Sequence, residues 1–328
     1  MAGSQNVRRQ APFLLGLALI LAALPIGYFV FLREPPPPPV RVPPPPPVVE
    51  VPPPSKPVQL SLQKVEGTVE VRRGKGAWEV AQPGAALHPS DAVRTQAASS
   101  AVIIGDEAVE VLVGAGTEVS VDSLTDELSR VLLETGIATA TVRPGKRHTF
   151  EVKAANSDAL ARTTAGTFSM SNDGAGTVAV GAREGEVTFL GKGKVVIVRA
   201  GQQSVVTPTS TGPSEPAPVP SSLLRKVAWP DSRRNQRRIK ISGEAVPGSR
   251  LEMGGQHFFP GPDGKFERTV DLKEGENLVQ LRASSVMGTQ QEAAQNYKVD
   301  TSPPKKLKVD LPWGSSSSPE VPAQTESP

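Results

Sequence analysis

Apolar residues fall along this chain in two rhythms. Positions 13–32 read FLLGLALILAALPIGYFVFL, twenty residues without a charge. Beyond position 58 the apolar residues come in short runs, mostly of four to six, rich in Val, Thr and Ile: Val65, Val69 and Val71, then 101–104, 109–113, 119–121, 131–133, 149–152, 167–170, 178–180, 186–190 and 195–198. The first rhythm predicts a helix which, at about 1.5 Å per residue, spans about 30 Å. The second predicts strands separated by Gly, Asp or Asn turns. The one helical expectation in this region is a short piece at 123–129. Many short strands and no long helix predict a mainly β body built as a roll, sandwich or barrel.

The apolar run places the N-terminus. Arg8 and Arg9 precede it, whereas Arg33 behind it is offset by Glu34. The positive-inside rule then keeps residues 1–12 in the cytoplasm and 13–32 as a single transmembrane anchor. The run carries on through Tyr28 to Leu32 with no A-x-A cleavage pattern beyond, which favours an anchor over a cleaved signal, though both send the remainder outward. Pro25 predicts a kink. Residues 33–57 form a stalk in which 14 prolines fall within 35–57. Proline lacks a donor and fixes φ, so the stalk is neither helix nor sheet. As polyproline II it reaches roughly 70 Å, as a semi-rigid spacer or a docking strip for a Pro-binding domain.

The first β stretch, 58–207, also carries an ordered series of short motifs. These are Val65 to Val71 around Gly67, Trp78, Leu87-His-Pro-Ser-Asp91-Ala-Val93-Arg94-Thr95, Leu133-Glu-Thr-Gly136, Phe150-Glu-Val152, Thr163-Thr-Ala-Gly166-Thr167-Phe168, Gly185-Glu-Val187 and Ala200-Gly201-Gln202. In order and spacing they resemble the FecR-domain family. Ser90 departs from the pattern, which prefers Gly there, and Asp106-Glu107 stands in for an Asp-Gly turn. On the residues alone, Gly67, Gly136, Gly166 and Gly185 predict turns or close backbone approaches. Trp78 and Phe168 are expected in the core, and Asp91 is expected to cap a turn.

A second β stretch, 239–300, begins with Ile239, Ile241 and Leu251, turns at 261–264, and continues through Phe266, 269–272, 278–281 and 297–299. Its Pro247-Gly248, Asp263-Gly264-Lys265-Phe266 and Glu274-Gly275-Glu276-Asn277 steps resemble bacterial Ig-like modules of the glucodextranase-B-like kind, which implies a small sandwich acting as a non-catalytic spacer or binding module. Residues 208–238 are expected to be a Pro/Ser-rich and then basic linker, and 301–328 a disordered tail.

Charge singles out one place. Between 225 and 240, Arg225, Lys226, Arg233, Arg234, Arg237, Arg238 and Lys240 face Asp231 alone, a net +6. The whole chain is +3, so the remainder carries −3 and the basic character is local. Such a cluster can hold a polyanion or an acidic partner, or can simply be a solvated linker. An outward-facing body makes an anionic glycan of the cell wall, a periplasmic protein or membrane lipid the candidate partners, and nucleic acid is not expected.

Catalytic signatures are scarce. With no cysteine, thiol chemistry and Cys-ligated metals are excluded. His88, His148 and His257 are scattered, and no H-E-x-x-H, G-x-S-x-G or P-loop is present. Ser61-Leu-Gln-Lys64 spells S-x-x-K, but within a predicted strand and without a Lys-Thr-Gly partner. No cofactor, metal or catalytic residue is therefore expected. The FecR resemblance implies a periplasmic domain used in signalling or protein contacts. The resulting expectation is a non-enzymatic protein of the bacterial inner membrane, a scaffold, sensor or envelope-binding adaptor. Its alternative is a transducer feeding a sigma-factor pathway through a membrane partner, a doubtful one because the chain lacks the folded cytoplasmic segment of well-known members. A cell-wall enzyme is the remaining class.

Overall fold

The computed structural model describes residues 7–32, 59–105, 108–125, 127–145, 149–231 and 236–302, with side chains from Phe13 onward. The stalk, the tail beyond 302, Asp106-Glu107 and His148 lie outside the described residues. The chain forms two units, 1–54 and 55–328.

The described residues of the first unit are helical. Val7–Gly27 is an α-helix that widens into π-helix over Tyr28–Leu32. Pro25, which lacks an N–H, stands three residues before the widening, where such a break in the bonding ladder is expected. Phe13–Leu32 is long and apolar enough to cross a membrane, and none of it is buried by protein. A sleeve of twenty exposed apolar residues is costly in water and suited to lipid.

The second unit is almost entirely β. Its larger part closes around one core in which Phe150, Phe168 and Phe189 are fully buried among Val, Leu and Ala. Two long strands, Leu128–Val142 and Val178–Gly191, organise it. Up to Thr135, the former pairs with Glu118–Leu124 and, in parallel, with Thr149–Ala154. From Gly136 it pairs with Gly166–Asn172 and Val109–Val113. The latter strand pairs with Gly166–Asn172 and Gln202–Val206 up to Gly185, and beyond it with Lys194–Arg199 and Leu160–Thr163. Each long strand thus passes from one sheet to another at a glycine, and the two sheets share their corners.

Burial follows this geometry. In Leu128–Val142 the buried positions run Ser129, Val131, Leu133 and then Gly136, Ala138, Ala140, Val142, a one-residue slip of the period-two pattern at the corner. Gly136 has φ of 101°, and a β-carbon there would lie 2.3 Å from Thr117 Oγ1. Asn172 pins the same corner. Its side-chain amide donates to the Leu133 and Glu134 carbonyls at 2.8 and 2.9 Å, and its oxygen accepts the Gly174 N–H.

Three expectations change. Residues 123–129 are not helical: Glu118–Leu124 and Leu128–Val142 form a hairpin closed by Thr125, whose Oγ1 accepts the Leu128 N–H. Trp78 is not in the core. It lies half-buried, with the guanidinium groups of Arg72 and Arg94 over its ring, 4.7 and 4.3 Å from the ring centre. Residues 208–231 are not a free linker. Ala217–Pro218 pairs with Gln202 and Gln203, Ser204 Oγ donates to the Ser214 carbonyl, and Leu224–Ala228 is a strand of the next sheet.

That strand joins Arg238–Ala245 and Lys265–Asp271 in a three-stranded sheet. A four-stranded sheet, Gln256–Phe258, Arg250–Met253, Gly275–Ser284 and Gln290–Val299 in spatial order, lies on the other side of a second core. The expected turn at 261–264 closes through the Gly264 N–H to the Gly261 carbonyl. The two β modules touch directly. Ser171 Oγ donates to the Gly248 carbonyl at 2.8 Å, Arg250 Nη1 to the Ala115 carbonyl at 2.9 Å, and Arg183 Nη2 to the Met287 carbonyl at 3.1 Å.

Candidate functional site

The basic residues singled out in the sequence have different surroundings. Arg233 and Arg234 lie outside the described residues. Arg237 donates to Glu274 and Thr301, Arg238 to Asp271, and Lys240 Nζ is 2.8 Å from Glu267. The three carboxylates come from the strand and turn alongside, 27 to 37 positions away, so these three cations are paired across the sheet rather than along the chain. All three pairs are exposed and weak in water. Arg225 and Lys226, on Leu224–Ala228, form no ion pair among the described residues and are exposed.

Sequence reasoning passed over a different cationic site. Where the two modules meet, a cleft of about 400 Å³ is lined on one side by Gly116 and Asp173 and on the other by Arg250, His257, Phe258 and Arg268. The strands Arg250–Met253 and Gln256–Phe258 are antiparallel partners joined by Gly254 and Gly255, both in the left-handed region. That tight turn brings Arg250 and His257 to one end of the module. Arg268, from the opposite sheet, stacks on Phe258 with its guanidinium carbon 4.4 Å from the ring centre. No signal in the sequence connects these residues, because three strands and a contact between modules assemble them.

The electrostatics are one-sided. Burial lowers the pKa of Arg250, opposed by nearby Glu252. Burial first, and then the charge of Arg250, hold His257 below its ordinary range, again against Glu252, so its ring favours the neutral form. Its Nδ1 is buried with no hydrogen-bond partner. Neither Arg250 nor Arg268 has a carboxylate partner among the described residues. Asp173 is the acidic residue on the lining, and its Oδ1 is already engaged by the Ala175 and Thr177 N–H groups. On the lining itself, two guanidinium groups face one carboxylate with one oxygen engaged, and Glu252 stands close by.

The other chemically suggestive residues have local duties. Asp91, buried, accepts the His88 and Gly74 N–H groups and the Arg73 guanidinium, the turn cap expected of it. His88 Nδ1 lies 3.6 Å from the same carboxylate. Lys64, of the S-x-x-K string, is on the strand Leu60–Glu66 and pairs with Glu66 at 2.7 Å. The hydrogen bond and charge of Glu66 raise its pKa, the reverse of what a general base requires. Among the described residues, no group of three or more His, Asp or Glu is placed to hold a metal ion.

No protein-family model matches the sequence, and no curated protein matches it. Two crystal structures of a protein described as an anti-sigma factor from Parabacteroides distasonis ATCC 8503 overlap part of the fold, at 19% and 18% identity and a TM-score of 0.32 each. Each overlap covers 36% of this chain, and 55% and 56% of the other, so the chain spans about half the length of those structures. Overlaps of this extent assign neither activity nor partner.

Proposed function

We propose that this is a non-enzymatic, membrane-anchored periplasmic protein of the FecR-domain kind, acting as a scaffold, sensor or envelope-binding adaptor. The observation that carries this reading is the place of the motif glycines. Gly136 and Gly185 stand where the two long strands change sheets, and Gly166 faces Gly185 across the ladder. Motif positions that are structurally obligatory support a domain-level resemblance more strongly than the same letters in a free loop. The membrane-length helix Phe13–Leu32 supports anchoring, and a body of two β modules in direct contact supports a binding role.

Retention of the full chain, in detergent, on isolated cell-wall sacculi and on envelope extract tests this reading. Retention on sacculi that fades with salt is expected of an adaptor working through charge. Arg225→Gln with Lys226→Gln should weaken it more than Arg237→Gln with Arg238→Gln, whose charges already have partners. Capture of one envelope protein instead would move the reading to a sensor or scaffold. If that partner belonged to a sigma-factor pathway, the transducer alternative would hold. Hydrolysis of purified peptidoglycan, or no binding in either assay, would sink the proposal.

A further inference from the structure

The cleft between the modules has the makings of a ligand site independent of the wall or protein partner considered above. A guanidinium group has five N–H donors. Arg250 spends Nη1 on the Ala115 carbonyl, a bond that fixes the side chain across the junction, and no carboxylate among the described residues takes up its charge. Glu252 acts on it only from a distance, and a half-buried cation without a directly paired carboxylate is expensive for a fold to keep; such groups concentrate at functional sites. Arg268 adds a second guanidinium without an ion pair among the described residues, placed over the ring of Phe258. His257 adds a buried Nδ1 with no partner. The floor is aromatic and proline-rich, with Phe258, Phe259 and Pro262 on the lining. A volume of about 400 Å³ falls in the range of small-molecule sites, roughly 300–1,000 Å³.

We propose that this cleft binds a small organic oxyanion, its carboxylate or phosphate group held by Arg250 and Arg268 and its flat or apolar body packed on Phe259 and Pro262. The planar guanidinium fork suits both anions, usually in bidentate fashion. The aromatic floor explains why an organic anion fits better than an inorganic one. Asp173 would repel a second negative charge on its side of the cleft, so a ligand with one acidic group is preferred. Since both modules line the cleft, such a ligand would also reinforce the junction.

Ligand-observed NMR on the full chain in detergent can test this with benzoate, phenyl phosphate, inorganic phosphate and neutral benzamide as probes. Benzoate or phenyl phosphate, or both, should bind at least tenfold more tightly than benzamide, and the aryl anion that binds should outcompete inorganic phosphate. The better of the two identifies the natural acidic group. Arg268→Gln, an exposed change that leaves the Arg250–Ala115 bond intact, should weaken the aryl anion at least fivefold without shifting the melting temperature. Lys298→Gln, an exposed change outside the cleft, should leave affinity unchanged. Equal binding of benzamide and both aryl anions, inorganic phosphate binding as well as the aryl anions, no effect of Arg268→Gln, or an equal effect of Lys298→Gln would each overturn the proposal.

Discussion

Ser90 occupies a left-handed backbone conformation, with φ of 74°, at an exposed turn. That conformation costs a residue with a β-carbon roughly 1–2 kcal/mol, and glycine adopts it freely. The departure from the glycine expected there is therefore a small strain, and Ser90→Gly should raise the free energy of unfolding by up to about 1 kcal/mol in denaturant titration, part of the gain being offset by the unfolded chain's added freedom. Its neighbour is under the opposite pressure. Burial pushes the Asp91 carboxyl up, but the His88 N–H, the Arg73 guanidinium and the Gly74 N–H together bring it below its ordinary value of 3.8. A lowered folded pKa means that the stabilisation is complete above the ordinary value and is lost as pH falls through the folded one. Asp91→Asn should cost roughly 1–3 kcal/mol near neutrality. In acid titrations of stability, the gap between variant and wild type should narrow once pH falls below about 4. The cap was legible in the sequence because the His88 N–H that Asp91 accepts lies only three residues back, whereas Arg73 and Gly74 join it from 18 and 17 positions away. The surroundings of Trp78 were not legible, since the two arginines over its ring come from two other strands.

At the scale of elements, alternation was enough to locate most strands, because each buries one face. It could not show that Leu128–Val142 and Val178–Gly191 each serve two sheets, although the slip in burial phase at Gly136 is its trace. It missed Leu224–Ala228, whose two exposed cations hid a five-residue strand inside a basic run. Corner glycines and turn glycines should differ sharply on substitution. At Gly166, φ is 122° and a β-carbon would sit 2.3 Å from the Glu184 carbonyl oxygen, which is backbone and cannot step aside. At Gly193, φ is 72° but the space is open. Gly193→Ala should cost about 1–2 kcal/mol, the conformational term alone. Gly166→Ala should cost more, about 3 kcal/mol or above, because the ladder facing Gly185 must also shift. Equal losses in denaturant titrations of the two variants would mean that the corner is not held by close approach.

For the body as a whole, the question is whether two cores behave as one. Each module encloses its own apolar cluster, and either could unfold alone if the contact between them were weak. What joins them is a set of small, specific contacts: the bonds made by Ser171, Arg183 and Arg250, and glycines that let the surfaces close. Gly248 is the sharpest of these. A β-carbon there would lie 2.6 Å from the Ala179 β-carbon of the other module, a short side chain with no rotamer to yield. Gly254 offers a matched control in the same module, with φ of 59° against 80° and nothing nearby to meet. Both alanine variants incur the left-handed backbone cost, but only Gly248→Ala wedges the junction apart. Calorimetry of the wild type and of Gly254→Ala should show one unfolding transition of the β body, and Gly248→Ala should split it into two. If the wild type already melts in two steps, the junction is a touching surface rather than a coupling. Arg250 would then be held by its own module, and the cleft would open and close with the motion between the two.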